Sequence, residues 1–244
     1  MDTINYRVNK TNLYEQIAET LEQAIIGSEI KAEKLPSEQE LSKRFDVSRT
    51  VIREALKVLK ERGLIRSRNG GGSYVSKPGA GTISSAINRI VQMDNISNDD
   101  LHNLRLIMET AGARLAALNA GPEETEHLED ILEQMADESL PLEKRISLDA
   151  DFHISIARAS GNELLGVFVD IMTLLLKHYM SLGVFDGPRI RGAHRQHKRV
   201  LEAIKSRRSG KAERAIYDHL MAARKVVDQY EPPERKTKNG HTGG

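Results

Sequence analysis

Four residues in the C-terminal half have the types and spacing of a metal site. Asp149 and His153 are four residues apart on one predicted helix and share its apolar face. His197 and His219 each interrupt the apolar stripe of a later predicted helix. Three helices would thus point ligands inward, and three imidazoles with one carboxylate suit zinc, nickel or another first-row divalent ion, with positions left open for a ligand. The alternative is that these side chains only hydrogen-bond, and His194 competes with His197 for the same face.

A cation is also predicted on an apolar face. Arg105 shares its predicted helix face with Leu101, Met108 and other apolar residues. A buried arginine needs an anion beside it, and the sequence leaves two candidates open. One is Glu109, a helical turn further on. The other is the carboxylate of a small organic acid that binds at Arg105 or at the metal.

A third set of residues has the chemistry for binding DNA. Arg49 and Arg53 follow a predicted tight turn and project from one face of a helix, away from its apolar stripe. The planar fork of arginine can donate two hydrogen bonds to guanine or phosphate, and Ser48 and Thr50 can donate to phosphate oxygens. The alternative is an ordinary solvated charged face. A glycine-rich tip that contains Gly70 could approach the minor groove, where bulky side chains would obstruct it.

The predicted elements place these residues in two different structures. In the N-terminal part, a helix, a short helix, a tight turn, a third helix and a β-hairpin follow one another, which is the order of a winged helix-turn-helix. Ser37 and Glu40 predict a capping box at the start of the short helix. The rest is predicted to be helical over 82–93, 98–119, 122–139, 142–160, 162–182, 188–208 and 210–230. The expected fold class is mainly α, with a small β-hairpin wing and a C-terminal all-α bundle.

The distribution of charge, together with the glycine and proline residues between predicted helices, sets the expected domain boundaries. The segment 35–77 holds ten Lys and Arg against five Asp and Glu, whereas 94–231 holds 18 against 23. A basic module on an acidic body is typical of a DNA-binding regulator. We expect a DNA-binding domain over 8–77, a linker and connecting helix over 78–97, an effector-binding and dimerisation domain over 98–231, and a disordered tail over 232–244.

The N-terminal part resembles the DNA-binding domain of the GntR family of transcriptional regulators. The resemblance extends from about Leu13 to Val75 and is strongest in the run Leu35-Pro-Ser-Glu-Gln-Glu-Leu-Ser-Lys-Arg-Phe-Asp-Val-Ser-Arg-Thr-Val-Ile-Arg-Glu-Ala-Leu56. It implies operator contacts by Ser48, Arg49, Thr50 and Arg53, and by Gly70 at the wing tip. The family often has arginine where this chain has Gln39, so a base or phosphate contact by Gln39 is the weakest of these expectations.

The C-terminal part resembles the FCD effector domain of the FadR subfamily over about 98–228. The runs that carry the resemblance are Asp100-Leu-His-Asn-Leu-Arg-Leu-Ile-Met-Glu109, Asp149-Ala-Asp-Phe-His153, Ser160-Gly-Asn162, His197-Lys-Arg-Val-Leu-Glu-Ala-Ile204 and His219-Leu220. The resemblance implies a helical bundle, a metal held by Asp149, His153, His197 and His219, and a carboxylate-containing effector near Arg105. Because all four ligand positions are present, the metal-binding branch is the better fit.

These observations favour a ligand-responsive repressor that binds a palindromic DNA operator as a homodimer. An enzyme that uses the His/Asp site for hydrolysis is the main alternative, but no general base can be identified beside the site. A DNA-binding scaffold with purely structural histidines is the other. The chain has no cysteine, its start lacks a signal-peptide pattern and no apolar stretch is long enough to span a bilayer, so a cytoplasmic protein with no membrane partner is expected.

Overall fold

The computed structural model describes residues 12–27, 34–68, 72–137, 139–180 and 187–230. The chain divides into two compact units, Met1–Ile83 and Ser84–Gly244. The described residues form ten helices and one two-stranded antiparallel sheet, which confirms the mainly α fold class. Within these residues, every helix is too short or too polar to cross a membrane.

The N-terminal unit is built around three helices. These are α1 (Leu13–Ile26), α2 (Glu38–Phe45) and α3 (Arg49–Glu61). The predicted capping box is present at the start of α2, where the Glu40 amide donates to Ser37 Oγ at 3.2 Å and the Ser37 amide donates to the Glu40 carboxylate at 2.7 Å. Asp46 ends α2 in the left-handed region, with φ at 51°, and Ser48 then caps α3 by accepting from the Val51 amide at 3.4 Å. Local side-chain chemistry therefore fixes the turn that aims α3.

A β-hairpin completes this unit. Strand β1 (Ile65–Arg68) pairs antiparallel with β2 (Gly72–Val75), with Ile65 opposite Val75. The predicted tip, Gly70 included, lies outside the described residues. Both the hairpin and the helices close over one apolar cluster, whose buried members are Ile17, Ala18, Leu21, Leu35, Leu41, Ile52, Ala55, Leu56, Leu59, Leu64 and Ile65.

The C-terminal unit is a bundle of helices that follows α4 (Ala80–Met93). The bundle helices are α5 (Asn98–Asn119), α6 (Pro122–Met135), α7 (Leu142–Ala159), α8 (Glu163–Met180), α9 (Gly187–Lys205) and α10 (Ser209–Tyr230). Helix α5 is central, because it packs against α7, α8, α9 and α10. Its start is fixed by a second capping box, in which the Asp100 amide donates to Ser97 Oγ at 3.1 Å.

The bundle core contains an unusual number of polar side chains. Its apolar members include Phe152, Leu128, Ile204 and Ile216, all fully buried. Among the described residues, the buried polar and charged side chains are Arg105, Glu109, Asp149, His153, Ser160, Thr173, His197 and His219. Because burying such groups is costly unless they are paired, their arrangement decides what the bundle can bind.

Candidate functional site

Three helices bring the four predicted ligands together in the bundle core. Asp149 and His153 come from α7, His197 from α9 and His219 from α10, and one ligand atom from each lies within 4.8 Å of all the others. The spacing of four on α7 places its two side chains on one face, as the sequence indicated. All four residues are buried, so solvent does not compete for the space between them.

The distances inside the cluster fit a shared cation. His219 Nε2 lies 3.1 Å from His197 Nε2 and 3.2 Å from His153 Nε2. Asp149 closes the cluster, with Oδ1 3.4 Å from His197 Nε2 and Oδ2 3.9 Å from His153 Nε2. Zinc binds imidazole nitrogen at about 2.0–2.1 Å, which separates neighbouring ligand atoms by roughly 3–3.4 Å. The residues present therefore fit a zinc-sized divalent ion in both chemistry and spacing.

Burial sets the charge of the cluster. It lowers the pKa of His197 and of His219 well below the usual value, and neighbouring imidazoles lower the pKa of both further. Burial also raises the pKa of Asp149, although His153 and Arg105 partly oppose that effect. Neutral imidazoles are the form that binds metal, so the fold keeps His197 and His219 in the ligand form near neutral pH.

A carboxylate lies behind the cluster and joins it to the buried arginine. Glu109, on α5, contacts His153 Nδ1 with one oxygen and accepts a hydrogen bond from Arg105 Nε with the other at 2.5 Å. Burial acts to raise the pKa of Glu109, but Arg105 and His153 lower it to about 2, so it is ionised at neutral pH. Of the two anions that the sequence left open for Arg105, the structure shows Glu109.

Arg105 nevertheless keeps donors for a second anion. In the part of the chain that the structure describes, its terminal nitrogens Nη1 and Nη2 make no hydrogen bond. The guanidinium is buried and lies close enough to Asp149 to affect the pKa of that carboxyl. A guanidinium with one side occupied by a carboxylate still offers donors to another carboxylate.

Two contacts in this region were not predicted from the sequence. Glu109 was recognised only as a candidate partner of Arg105, and its contact with His153 was not predicted. Gln196 was not singled out, yet its Oε1 lies 3.1 Å from Nδ1 of His219. No sequence signal could have found either contact, because both depend on how α5 and α9 are rotated against their neighbours. His194 lies outside the cluster, and His197 takes the position for which the two competed.

The predicted DNA-binding residues lie on the surface of α2 and α3. Gln39, Ser48, Arg49, Thr50 and Arg53 are all exposed. Ser48 Oγ is used as the cap of α3, and Gly70 lies outside the described residues. The structure adds one residue between the arginines: Glu38 accepts a hydrogen bond from Arg53 Nε at 2.8 Å and lies 3.4 Å from Arg49 Nη2. The face is thus a pair of exposed cations held by a shared carboxylate.

A winged helix-turn-helix followed by a helical bundle with a polar core defines a DNA-binding regulator. The chain belongs to the GntR family of bacterial regulatory proteins, whose description it matches over residues 13–75. It also matches the FCD domain over residues 100–222, which is consistent with the FadR subfamily. The family prediction is therefore confirmed.

Proteins similar to this chain are named as transcriptional regulators. The chain is 33% identical over 221 residues to the HTH-type transcriptional repressor NanR of Cronobacter sakazakii, covering 86% of this chain and 84% of NanR. It is 29% identical over 212 residues to the HTH-type transcriptional regulator LutR of Bacillus subtilis, covering 84% of this chain and 97% of LutR. Among solved structures, Streptococcus agalactiae GntR superposes with a TM-score of 0.66 at 26% identity, covering 87% of this chain and all of that one. The chain is a transcriptional regulator and not an enzyme.

Proposed function

We propose that this regulator is a homodimeric repressor whose operator affinity responds to a small organic acid bound at a metal site in the C-terminal unit. The observation that carries the proposal is the buried cluster of Asp149, His153, His197 and His219 beside Arg105. A relative that is named a repressor, NanR, supports the direction of the output. The metal identities that the ligand set favours are zinc and nickel.

The chain's residues define what the site would hold. Asp149 and the three histidines supply one oxygen and three nitrogens, which is fewer donors than an octahedral ion takes. A bound divalent ion would supply an electrophilic centre for a carboxylate oxygen. Arg105 would orient the same acid through its terminal nitrogens, because a guanidinium pairs with carboxylate in a fixed geometry. The surrounding apolar core excludes water and so strengthens both contacts.

DNA binding is proposed for the exposed face of α3. Arg49 and Arg53 would donate to guanine edges or phosphates in the major groove, with Thr50 and Ser48 at the backbone. Gln39 on α2 and Gly70 at the wing tip complete the proposed set. Coupling between the two units requires that the acid bind the DNA-competent and DNA-incompetent arrangements with different affinity.

Dimerisation is proposed through the outer face of α8 and the neighbouring face of α5. Helix α8 exposes large apolar side chains at helical spacing, and α5 contributes Leu104 and Ile107, the latter 68% exposed. The exposed apolar residues of α8 are Leu164, Val167, Phe168 and Leu174. A stripe of this kind needs cover, and a palindromic operator needs two recognition helices related by a two-fold axis. A second copy of the chain satisfies both requirements.

Metal analysis and ligand screening test the proposal together. Purified protein should carry about one divalent ion per chain, and small organic acids should raise the melting temperature of the metal-loaded form but not of the metal-free form. An acid found in this way should also change the affinity for an operator duplex selected from a randomised pool. If purified protein binds no metal after supplementation, the proposed metal site is wrong.

The proposed dimer is tested by Phe168→Glu, which should sediment as a monomer. If this variant sediments like the wild type, another face forms the dimer.

A further inference from the structure

We infer that Glu109 is a positioning residue for the proposed metal site. It fixes the ring of His153 with Nε2 toward the other ligands, and it holds Arg105 beside them with the same carboxylate. The inference rests on the proposed function, since it assigns a role to a residue that supports the site without binding the metal. Both the affinity for metal and the placement of Arg105 would then depend on the side chain of Glu109.

The tautomer of His153 depends on the groups around its ring. A neutral imidazole carries one N–H and one lone pair, and which nitrogen carries which depends on its surroundings. Glu109 is a buried carboxylate against Nδ1, and a carboxylate can only accept there. In the neutral ring that binding a metal requires, Nδ1 therefore carries the proton, and the lone pair is on Nε2, the atom that lies 3.2 Å from His219 Nε2. A carboxylate behind a ligating histidine is a common device for orienting the ring and raising its basicity.

The fold supports the three histidines of the cluster unequally. His153 has a charged acceptor at Nδ1, and His219 has the neutral amide of Gln196 at 3.1 Å. His197 Nδ1 is buried with no hydrogen-bond partner among the described residues. The tautomer is thus most strongly fixed at His153, less so at His219 and least at His197. Removing Glu109 should consequently weaken metal binding more than removing Gln196.

A simpler role for Glu109 is to compensate a buried charge. Glu109 also neutralises Arg105, and a buried arginine left without its carboxylate would repel any cation bound nearby. Glu109→Gln alone cannot distinguish the two roles, because it removes both at once. Arg105→Met combined with Glu109→Gln removes the unpaired charge while leaving His153 without its carboxylate. If the ring of His153 is what matters, the double variant stays as weak as the single one.

Zinc affinity and the tautomer of His153 form the test, both measured on the full chain. The variants are Glu109→Gln, Gln196→Ala, Arg105→Met, the double variant and, as a matched control, Glu129→Gln on the surface of α6. Zinc affinity is measured by competition with a chromophoric chelator, and the tautomer by nitrogen-15 NMR of the metal-free protein. We expect the wild type and Glu129→Gln to show the Nδ1–H form of His153. Glu109→Gln should bind zinc about 10- to 100-fold more weakly and show mixed tautomers, since an amide can donate or accept at Nδ1.

The outcomes separate the two proposals. Zinc affinity restored to the wild-type value in the double variant, or unchanged in Glu109→Gln, would overturn the inference while leaving the metal site intact. If the wild type binds no zinc, the proposed function fails, and the tautomer measurement alone then decides whether Glu109 fixes His153. Should Glu109→Gln fail to fold, the double variant carries the test, because it leaves neither buried charge unpaired.

Discussion

The two units of this regulator use charge in opposite ways. The α3 arginines keep 58% and 59% of their side-chain surface exposed, whereas Arg105 keeps 10% and Glu109 3%. A surface charge is screened by water and salt, so many such contacts are needed to hold a large polyanion. A buried charge is screened little, so a few groups can recognise one small ion or acid. The N-terminal unit is thus suited to a partner larger than itself, and the C-terminal unit to one that it can enclose.

This contrast also explains what could be predicted from the sequence. In the N-terminal unit the signals are local: the Ser37–Glu40 capping box, the turn before α3 and the hairpin were all predicted and are present. The helix bounds of the bundle were predicted with similar success, and α5 matches its prediction at both ends. Helix α6 ends at Met135, and the prediction extended it to 139 because no glycine or proline lies at its actual end.

Contacts between residues far apart in the chain were harder to predict from the sequence. The periodicity of each helix predicted that the four ligands face inward, since an apolar stripe marks the core side wherever it runs. It did not predict that Glu109 reaches across from α5 to α7, because that contact depends on the rotation of two helices about their own axes. The pairing of Glu38 with both Arg49 and Arg53 was missed for the same reason. Sequence patterns indicate a face of a helix, and packing decides which atoms on that face meet.

The largest effect is expected from removing a buried ligand. His219→Ala should lower zinc affinity by more than about 100-fold, since even the residues behind a ligand are worth about 10- to 100-fold. The control is His127→Ala, an exposed histidine on α6, which should bind zinc like the wild type. Titration against a chelator measures both. Equal affinities for the two variants would remove the distinction between buried and exposed histidines on which the site rests.

The recognition arginines should show a smaller loss. Arg49→Ala and Arg53→Ala should each weaken binding to a selected operator duplex by about 1–3 kcal/mol if the side chain reads a base. Arg114→Ala, an exposed arginine in the C-terminal unit, serves as the control. Fluorescence anisotropy over a range of salt concentrations measures the change. Unchanged operator affinity in both α3 variants would mean that this face does not read the DNA.

Arg105 should affect how operator affinity responds to the acid, but not the operator affinity of the acid-free protein. Arg105→Met should bind the operator like the wild type but lose the change in affinity caused by the acid that most stabilises the wild-type protein. Couplings of this kind are typically about 1–3 kcal/mol. The measurement is operator affinity with and without that acid. A variant that still responds fully would leave Arg105 with only its structural pairing to Glu109.

Acid should destabilise the metal-free C-terminal unit. Folding lowers the pKa of His197 and His219, so the unfolded chain binds more protons below its own value of about 6.5, and stability falls as the pH drops toward the lowered folded values. Each histidine contributes up to about 1.4 kcal/mol per pH unit in that window. The raised pKa of Asp149 acts in the opposite direction. Urea unfolding between pH 7.5 and 5.5 should show a smaller loss for His219→Gln than for the wild type, and equal losses would contradict this origin.

The smallest effect concerns Glu38, the carboxylate on the proposed DNA-binding face. Glu38→Gln frees both recognition arginines and removes a negative charge near the phosphates, so operator affinity should rise. Exposed ion pairs are worth about 0–1 kcal/mol, which limits the gain to roughly fivefold. Glu54→Gln removes a charge from exposed α3 surface without freeing either arginine. A gain of the same size in Glu54→Gln would show that only net charge matters.

The proposed dimerisation through the apolar stripe on α8 would make regulation depend on the number of protein molecules in the cell. A single chain has one α3 helix, whereas two chains joined through this stripe would present two, as the proposed two-fold operator requires. Where the chains are dilute enough to separate, the population of pairs grows with the square of the total concentration. Occupancy of the operator then rises steeply over a narrow range of copy number. The exposed side chains from Leu164 to Leu174 would in this way set a threshold of synthesis below which the regulated gene escapes control.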